Sequence, residues 1–423
     1  MSRSNVIQKF EYESLYIGEN RFERTHFDQL VAFNDKHNQL FFSVGNKKIT
    51  FFSYVGVIQV GGLTIEILPK GDNRSVKESH KNKWRSALIN LLKECNKIKL
   101  RGSNTADLNI QRSSLLELYI LHFINELEEI LHRGLIRKYE RNEGQKKSLK
   151  GTIHFPKHIS KNYIHKEQFY TRHQVYDYNH QLNRILKTAL WVLKKLNISS
   201  LLLGRINNLE LKMESIDRVR SSTELAKAIT YTRRTLHYKE AIELALLIIK
   251  EYSPILKGGN KQVIAFLFNM NELFEEFIYR RLRREESNFS EIELSVQPQQ
   301  TRLFWADRAI RPDILISFKE GDKSRNIVLD TKWKLLEKAQ PSINDLRQMF
   351  VYNLYFSTDR SVLLYPENNI DDQESVEYNQ ADWVTNESHG CEIRFVNPFL
   401  DDGRINEAFS YELIRKIISE NLN

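Results

Sequence analysis

Hydrophobic and polar positions alternate along residues 54–70, YVGVIQVGGLTIEILPK. This period of two is typical of β-strands, and the Gly-Gly pair between the two runs predicts a tight hairpin turn. The apolar residues of the second run share one face, whereas Glu66 lies on the other. We therefore expect a β-rich N-terminal region whose hairpin has one buried and one exposed face.

Later segments repeat their apolar residues at helical spacing. Residues 113–134 have Ser114 and Glu117 at the spacing of a capping box, and Gly134 ends the helix. The same periodicity predicts helices at 176–196, 238–252, 262–285 and 342–356. Strand-like runs are predicted around 292–298, 303–318, 325–334 and 361–365.

The order of these elements predicts an α+β multidomain chain. We expect a β-rich N-terminal domain with a basic connector at residues 1–172, and a helical segment at 173–257. Residues 258–423 mix helices and strands in an order that favours an α/β domain with a mixed sheet.

Composition narrows the class of protein. Of 423 residues, 41% are hydrophobic and 28% charged, which favours a folded globular chain over a disordered one. No apolar run approaches the roughly 18–20 residues that span a bilayer, so no membrane is expected. The two cysteines are far apart and fit no metal-binding spacing. We therefore expect a cytoplasmic protein.

Positive charge is concentrated in one segment. The net charge of the chain is +9, and residues 132–173 hold eleven Lys/Arg against three Glu. One interpretation is a solvated, irregular connector. The other is a surface that contacts DNA phosphates, with Arg141, Lys146, Lys147 and Lys150 as the contacting residues.

An aspartate lies in each of two apolar runs, RPDILISF and NIVLDTKWK. A polar turn between the runs would pair the two strands and bring Asp313 close to Asp330. Side chains alternate along a strand, so Asp330 and Lys332 share a face. An unpaired buried carboxylate costs several kcal/mol. The plain alternative to a functional site is a structural Asp–Lys ion pair at the end of a strand.

A divalent cation would relieve the repulsion between the two aspartates. Mg²⁺ prefers hard oxygen ligands, and Asp313, Asp330 and the carbonyl of Thr331 could supply three of them. A bound metal lowers the pKa of its water and polarises a phosphate, and Lys332 would orient that water. This set of residues suits the hydrolysis of phosphodiesters, with Mn²⁺ as a substitute metal.

Two nearby helices carry further candidates. Glu275 lies beside the apolar face of its helix and could reach the same site, or it could be a solvated helix glutamate. Gln348 and Tyr352 lie one helical turn apart after the second aspartate strand. Their alternative is ordinary packing with a buried amide.

Helix–Glu, PD, DxK and QxxxY in this order resemble the PD-(D/E)XK nuclease superfamily. The chain further resembles McrC, the family of nuclease subunits of the McrBC 5-methylcytosine restriction systems. The resemblance spans about residues 15–400 and rests on VGVIQVGGLTIEILPK, GLIRKYERNE, LKGTIHF, YDYNHQLNRILKTAL, FNMNELFEEFIYRRL, RPDILI, VLDTKWK and DLRQMFVYNLYF.

The resemblance implies a Mg²⁺-dependent DNA endonuclease subunit of an antiviral restriction system. Its partner would be a McrB-like AAA+ GTPase hexamer that reads modified cytosine in double-stranded DNA. The N-terminal part would dock on this ring and stimulate GTP hydrolysis, with the exposed face of the 54–70 hairpin as a candidate region.

The sequence has no GxxxxGK[ST] phosphate loop, so GTP would be bound by the partner. Two other functions stay open. One is a stand-alone DNA repair or junction nuclease, and the other is a non-catalytic DNA-binding adaptor.

Overall fold

The computed structural model describes residues 6–70, 78–99, 113–219, 229–254, 262–321, 323–336, 340–367, 372–379 and 388–421. The chain forms two compact units. The first joins Met1–Leu115 to Ala265–Asn423, and the second is Leu116–Ile264. These boundaries differ from the expected division at 172 and 257, because the N-terminal strands pair with a strand that follows the middle segment.

The N-terminal part of the first unit is built mainly of strands. Its strands are β1 (Val6–Phe10), β2 (Ser14–Tyr16), β3 (Phe42–Gly45), β4 (Lys48–Phe51), β5 (Tyr54–Val60) and β6 (Leu63–Leu68). Its helices are α1 (Arg24–Lys36) and α2 (Glu78–Glu94). The predicted hairpin is present as β5 and β6.

The prediction that one face of this hairpin is exposed is wrong. Nearly every residue of β5 and all of β6 are buried. Glu66, expected on the solvent side, is 1% exposed and pairs with Arg85, whose Nε lies 3.0 Å from Glu66 Oε2. The hairpin is an inner part of a larger sheet, and α1 and α2 contact its strands. Its strands therefore present no exposed face on which a partner could dock.

The second unit contains α3 (Leu115–Arg133), β7 (Lys138–Lys146), β8 (Thr152–Ile153), α4 (Phe155–Asn162), β9 (Phe169–Asp177), α5 (Gln181–Leu193), α6 (Ser200–Lys212), α7 (Lys239–Glu251) and β10 (Tyr252–Pro254). The helix predicted at 113–134 is confirmed as α3. The basic segment is an ordered antiparallel sheet in the order β7-β9-β8, with α4 packed on it. The interpretation of this segment as an irregular connector is therefore wrong.

The remaining elements belong to the first unit, apart from the first three residues of β11. They are β11 (Gln262–Asn269), α8 (Met270–Arg284), β12 (Ser295–Pro298), β13 (Arg302–Trp305), β14 (Arg308–Ile310), β15 (Ile314–Glu320), β16 (Lys323–Thr331), α9 (Ile343–Phe356), β17 (Arg360–Pro366), β18 (Gln373–Glu377), β19 (Gly390–Val396) and α10 (Phe409–Asn421).

The helix predicted at 262–285 is wrong in its first half. Residues 262–269 form β11, and the helix begins only after Asn269, whose side chain accepts a hydrogen bond from the amide of Asn271. A short apolar run fits a buried strand and a buried helix equally well, and here pairing with β5 decides. Gly56 permits that pairing, because a Cβ there would lie 2.0 Å from the carbonyl oxygen of Phe266.

A six-stranded sheet forms the C-terminal part of the first unit, in the order β12-β15-β16-β17-β19-β18. β15 and β16 are antiparallel, whereas β16, β17 and β19 run parallel. The predicted mixed sheet is thus confirmed. Met349 and Phe356 of α9 pack against Val328 and Leu363 of the sheet, and all four are buried. No helix among the described residues is both long and apolar enough to cross a membrane.

Candidate active site

The strand pair β15–β16 places the two aspartates side by side. Its register pairs Ile314 with Leu329, so one further step sets Asp313 opposite Asp330. The side chains of directly opposed residues lie on the same face of an antiparallel pair. The hairpin expected from the sequence therefore forms, and it brings the two carboxylates to one edge of the sheet.

Asp313 is held by the neighbouring strand. Its Oδ2 accepts hydrogen bonds from the backbone amide of Thr331, at 2.7 Å, and from the hydroxyl of Thr331, at 2.8 Å. These bonds lower the pKa of Asp313, but burial has the larger effect and raises it overall. The two bonds fix the orientation of the Asp313 carboxylate.

Asp330 is almost fully buried and pairs with Lys332. The Nζ of Lys332 lies 2.7 Å from Oδ2 of Asp330. Burial, followed by the charge of Asp313, raises the pKa of Asp330 to about 7 despite this lysine. Burial also opposes the charge on Lys332, but the attraction of Asp330 outweighs it and raises the pKa of the lysine. One lysine therefore does not neutralise the two aspartates.

Glu275 reaches the same site from α8. Burial and then the charge of Asp313 raise the pKa of Glu275, which places the two carboxylates within electrostatic range. The side-chain amide of Gln299 donates a hydrogen bond to Glu275 Oε1 at 2.6 Å. Glu275 is half-buried, and its hydrogen bond with Gln299 is exposed to solvent.

Gln348 and Tyr352 extend the site along α9. The Nζ of Lys332 lies 3.5 Å from Oε1 of Gln348, at the limit of a hydrogen bond. The amide of Gln348 donates to the hydroxyl of Tyr352 at 2.8 Å, and that hydroxyl donates to the carbonyl of Arg311 at 3.0 Å. A polar chain thus links Lys332 to the segment that carries Asp313.

The donor groups are of the kind that a divalent cation takes. Burial raises the pKa of Glu275, Asp313 and Asp330, and the charge of Asp313 further raises the pKa of the other two carboxylates. Carboxylate oxygens are the ligands that Mg²⁺ prefers, and a cation would offset the charge that Lys332 leaves uncompensated.

Two residues make contacts in the site that were not predicted from the sequence. The hydroxyl of Thr331 orients Asp313, although only the carbonyl of this residue had been considered. Gln299 bonds Glu275 through its side chain and bonds the carbonyl of Asp313 through its backbone amide, at 2.9 Å. The position of Thr331 inside the DxK motif could have indicated its contact with Asp313. Gln299 lies in a polar loop, where no sequence pattern indicates its contacts.

The profile of one protein family matches most of the chain. The family is described as a McrBC 5-methylcytosine restriction system component, and the match covers residues 49–366. That is about three quarters of the sequence.

The chain belongs to the McrBC family.

Solved structures of McrBC assemblies are similar to this McrBC-family chain. A chain of the refined half-complex from the tetradecameric assembly of Thermococcus gammatolerans McrB AAA+ hexamers with bound McrC matches with a TM-score of 0.69 and 20% identity, covering 98% of this chain and 99% of that one. A chain of the cryo-EM structure of the Thermococcus gammatolerans McrBC complex matches with a TM-score of 0.49 and 21% identity, covering 66% and 88%. A search of curated proteins found no match.

The four basic residues singled out in the McrBC-family sequence lie in the second unit. Arg141, Lys146, Lys147 and Lys150 are all exposed. Arg141 and Lys146 are five residues apart on β7, so they lie on opposite faces of the strand. Lys146, Lys147 and Lys150 instead gather around the turn after β7, which makes this turn the denser patch of charge.

A buried carboxylate of the N-terminal strands holds the residue next to Lys332. Oε1 of Glu11 accepts hydrogen bonds from the indole Nε1 of Trp333, at 2.6 Å, and from the backbone amide of Lys70, at 2.7 Å. The Trp333 ring contacts Phe274, which precedes Glu275. Glu11 therefore supports the strand of the DxK motif from outside the site.

We expect Glu11→Gln to alter the pH dependence of stability. Burial raises the pKa of Glu11 to about 7, so the folded chain holds a proton that the unfolded chain loses above about pH 4.5. The contribution of Glu11 to the free energy of unfolding is therefore fully present below about pH 4.5, and it is lost as pH rises toward 7. Glutamine keeps the accepting oxygen without the charge. The free energy of unfolding of the variant relative to the native chain should rise by about 2 kcal/mol between pH 5 and pH 8.

Urea unfolding followed by tryptophan fluorescence at the two pH values measures this difference. Glu377→Gln, at an exposed carboxylate of the same unit, is the control and should show no such change. Equal stability changes at pH 5 and pH 8 would contradict the assignment.

Proposed function

We propose that this chain is the DNA-cleaving subunit of a GTP-dependent, modification-dependent restriction endonuclease of the 5-methylcytosine type. Its C-terminal sheet would be a PD-(D/E)XK nuclease core that hydrolyses DNA phosphodiesters with Mg²⁺. The observation that carries the proposal is the cluster of Glu275, Asp313 and Asp330 with Lys332 at one edge of this sheet.

Each side chain of the cluster has a role in phosphodiester hydrolysis. Asp313, Asp330 and the carbonyl of Thr331 would hold Mg²⁺, which when bound supplies Lewis-acid activation of water and phosphate. Asp330 keeps Lys332 protonated and in place, so the lysine can orient the attacking water and offset negative charge in the transition state. Glu275 would complete the acidic face.

The polar chain on α9 fixes the position of the lysine. Gln348 accepts from Lys332 and donates to Tyr352, whose hydroxyl is anchored on the carbonyl of Arg311. Gln348 and Tyr352 would therefore act as positioning residues. A displacement of the lysine by about 1 Å could cost on the order of 10²-fold in rate, which is the reason to fix it from two sides.

The partner would be a McrB-like AAA+ GTPase hexamer. The similar structure from Thermococcus gammatolerans contains McrB AAA+ hexamers with bound McrC. The present sequence has no phosphate loop of its own, so GTP would be bound and hydrolysed by the ring, and this chain would stimulate the hydrolysis. Recognition of modified cytosine in double-stranded DNA would also belong to the ring.

The part of the chain that docks on the ring has to be tested in the full chain. A fragment of residues 1–172 would end inside β9 and combine pieces of both compact units. Point variants in the intact chain avoid this difficulty.

The decisive experiment is a cleavage assay with the purified full chain on duplex DNA that carries 5-methylcytosine. The assay is run with and without Mg²⁺, a McrB-like ring and GTP, in every combination. Cleavage only with all three, together with faster GTP turnover when the chain is added, supports the proposal. Cleavage by the chain and Mg²⁺ alone would favour a stand-alone nuclease. DNA binding without cleavage under every condition would favour a non-catalytic adaptor.

Arg141 on β7 and the three lysines around the turn that follows are expected to contact DNA phosphates. Replacing Arg141, Lys146, Lys147 and Lys150 together with glutamine should weaken DNA binding equally on all sequences. It should also reduce the slope of log K against log salt by about 3–4, because each lost phosphate contact releases about one counterion fewer. Fluorescence anisotropy at several salt concentrations measures this slope.

The matched control neutralises Lys36, Lys47, Lys48 and Lys93, four lysines outside the basic segment. An identical salt slope in the two quadruple variants would show that the basic segment does not contact DNA.

A further inference from the structure

The hairpin formed by β13 and β14 exposes large apolar side chains. Leu303 is 70% exposed, Phe304 50% and Trp305 67%. Among the described residues, these two strands pair only with each other. A hairpin of this size has little stability of its own, and clustered exposed apolar side chains mark an interaction surface.

Both ends of this hairpin are fastened to the candidate active site. Gln299, three residues before β13, bonds the side chain of Glu275 and the carbonyl of Asp313. Asp313 itself follows β14 by three residues. Any phosphodiester bound at the carboxylates is therefore adjacent to the base of the hairpin.

The surroundings of the hairpin favour a polyanion over an apolar protein surface. Arg302 and Arg308 lie on its strands, and Asp307 is the single acidic residue between Gln299 and Arg311. The guanidinium of Arg308 lies 5.8 Å from the centre of the Trp305 ring. Exposed apolar residues interleaved with arginine suit contact with stacked bases and the phosphates that flank them.

A groove continues from the hairpin to the polar chain on α9. It has a volume of about 710 Å³, and its walls include Phe304 of the hairpin together with Arg311, Arg347, Gln348 and Tyr352. Basic side chains and the residues that position Lys332 thus line the same space. DNA that follows this groove would meet both the hairpin and the candidate catalytic residues.

We propose that residues 302–310 form a wedge that enters a groove of duplex DNA beside the bond to be cut. Trp305 and Leu303 press against a base step and partly unstack it, while Arg302 and Arg308 contact the flanking phosphates. This inference rests on the proposed nuclease function and adds to it a DNA-distorting element.

The test measures base stacking as well as affinity. The probe is a 40-base-pair duplex with 2-aminopurine, whose fluorescence rises when it is unstacked, at successive positions around the cleaved bond. The full chain with Asp330→Asn is used, so that the DNA stays intact. The chain with an unaltered hairpin should raise the fluorescence at one or two adjacent positions.

The double variant Leu303→Ala/Trp305→Ala should lose this fluorescence rise and bind the duplex about 10-fold more weakly. The single variant Trp305→Phe, which keeps an aromatic ring, should retain most of the rise in 2-aminopurine fluorescence. Val376→Ala is the control, since Val376 is 54% exposed in the same unit, and it should change neither readout. Because all these side chains are exposed, the melting temperatures should stay unchanged.

The outcomes separate this inference from the proposed function. If the native chain cleaves DNA but the hairpin variants keep full affinity and unstacking, the wedge is wrong and the nuclease function stands. If those variants instead lose self-association or binding to a McrB-like ring, the hairpin is a protein interface. If the native chain neither binds nor cleaves DNA with Mg²⁺, ring and GTP, both proposals fail.

Discussion

Replacing Asp330 with asparagine is expected to reduce DNA cleavage by about 10³-fold while the chain remains folded. The substitution removes one of the carboxylates that would hold the metal, and it also removes the charge that keeps Lys332 in place. Asp313→Asn should have an effect of similar size, although the asparagine oxygen can still accept both hydrogen bonds from Thr331.

The melting temperature distinguishes a functional site from a structural ion pair. Burial and the charge of Asp313 raise the pKa of Asp330, so its ionised form is disfavoured in the folded chain. A neutral asparagine should therefore leave the melting temperature unchanged or raise it. The alternative of a structural Asp–Lys pair predicts the reverse, a clear loss of stability with unaltered cleavage.

The measurement combines single-turnover cleavage with thermal unfolding for each variant. Asp359→Asn serves as the control, because Asp359 is an exposed aspartate of the same unit at the start of β17. It should retain native cleavage. Native cleavage by either Asp313→Asn or Asp330→Asn would contradict the assignment of these aspartates to the active site.

Lys332→Met is expected to reduce the rate of cleavage by about 10²–10³-fold without loss of metal binding. Methionine fills a similar volume but cannot orient water or offset negative charge in the transition state. Because the carboxylates remain and lose their cationic neighbour, affinity for a divalent cation should be retained or increased. Titration with Mn²⁺, followed by its magnetic resonance signal, measures this affinity.

Lys334→Met is the matched control. Lys334 lies two residues further along the chain, is partly exposed and pairs with Asp345 at the start of α9, so its replacement should leave cleavage within a few-fold of native. Equal losses in the two variants would indicate a general effect of positive charge on DNA binding. A loss of metal binding in Lys332→Met would show that the lysine holds the carboxylates together and has no separate catalytic role.

Short-range patterns in the sequence were sufficient to predict which residues of the candidate site lie close together. The two aspartates lie on strands joined by a short turn, so local alternation and hairpin geometry suffice to bring Asp313 opposite Asp330. Gln348 and Tyr352 are one helical turn apart, and their contact follows from helix geometry. The order of these motifs also identified the family that the profile match confirms.

Contacts between distant segments could not be derived in this way. Glu11 meets Trp333 across more than 300 residues, and Gln299 meets Glu275 from an irregular loop, so no periodicity encodes either pair. The same limit explains the wrong helix start at 262. An apolar run of eight residues becomes a strand or a helix according to what it packs against.

The sequence by itself determined the identity of the chemical groups, their spacing within each hairpin and helix, and the mixed character of the C-terminal sheet. Only the tertiary structure decided which faces are buried. Both faces of the hairpin that was predicted to be half-exposed are buried, and α1 and α2 contact its strands. Pairing of β5 with β11 joins the N-terminal strands to the C-terminal part of the first unit. Burial in turn decides the electrostatics, because a carboxylate becomes hard to ionise only when water is removed from it and a second one is placed beside it. Periodicity shows which residues share a face, but the partner that covers the face lies elsewhere in the chain.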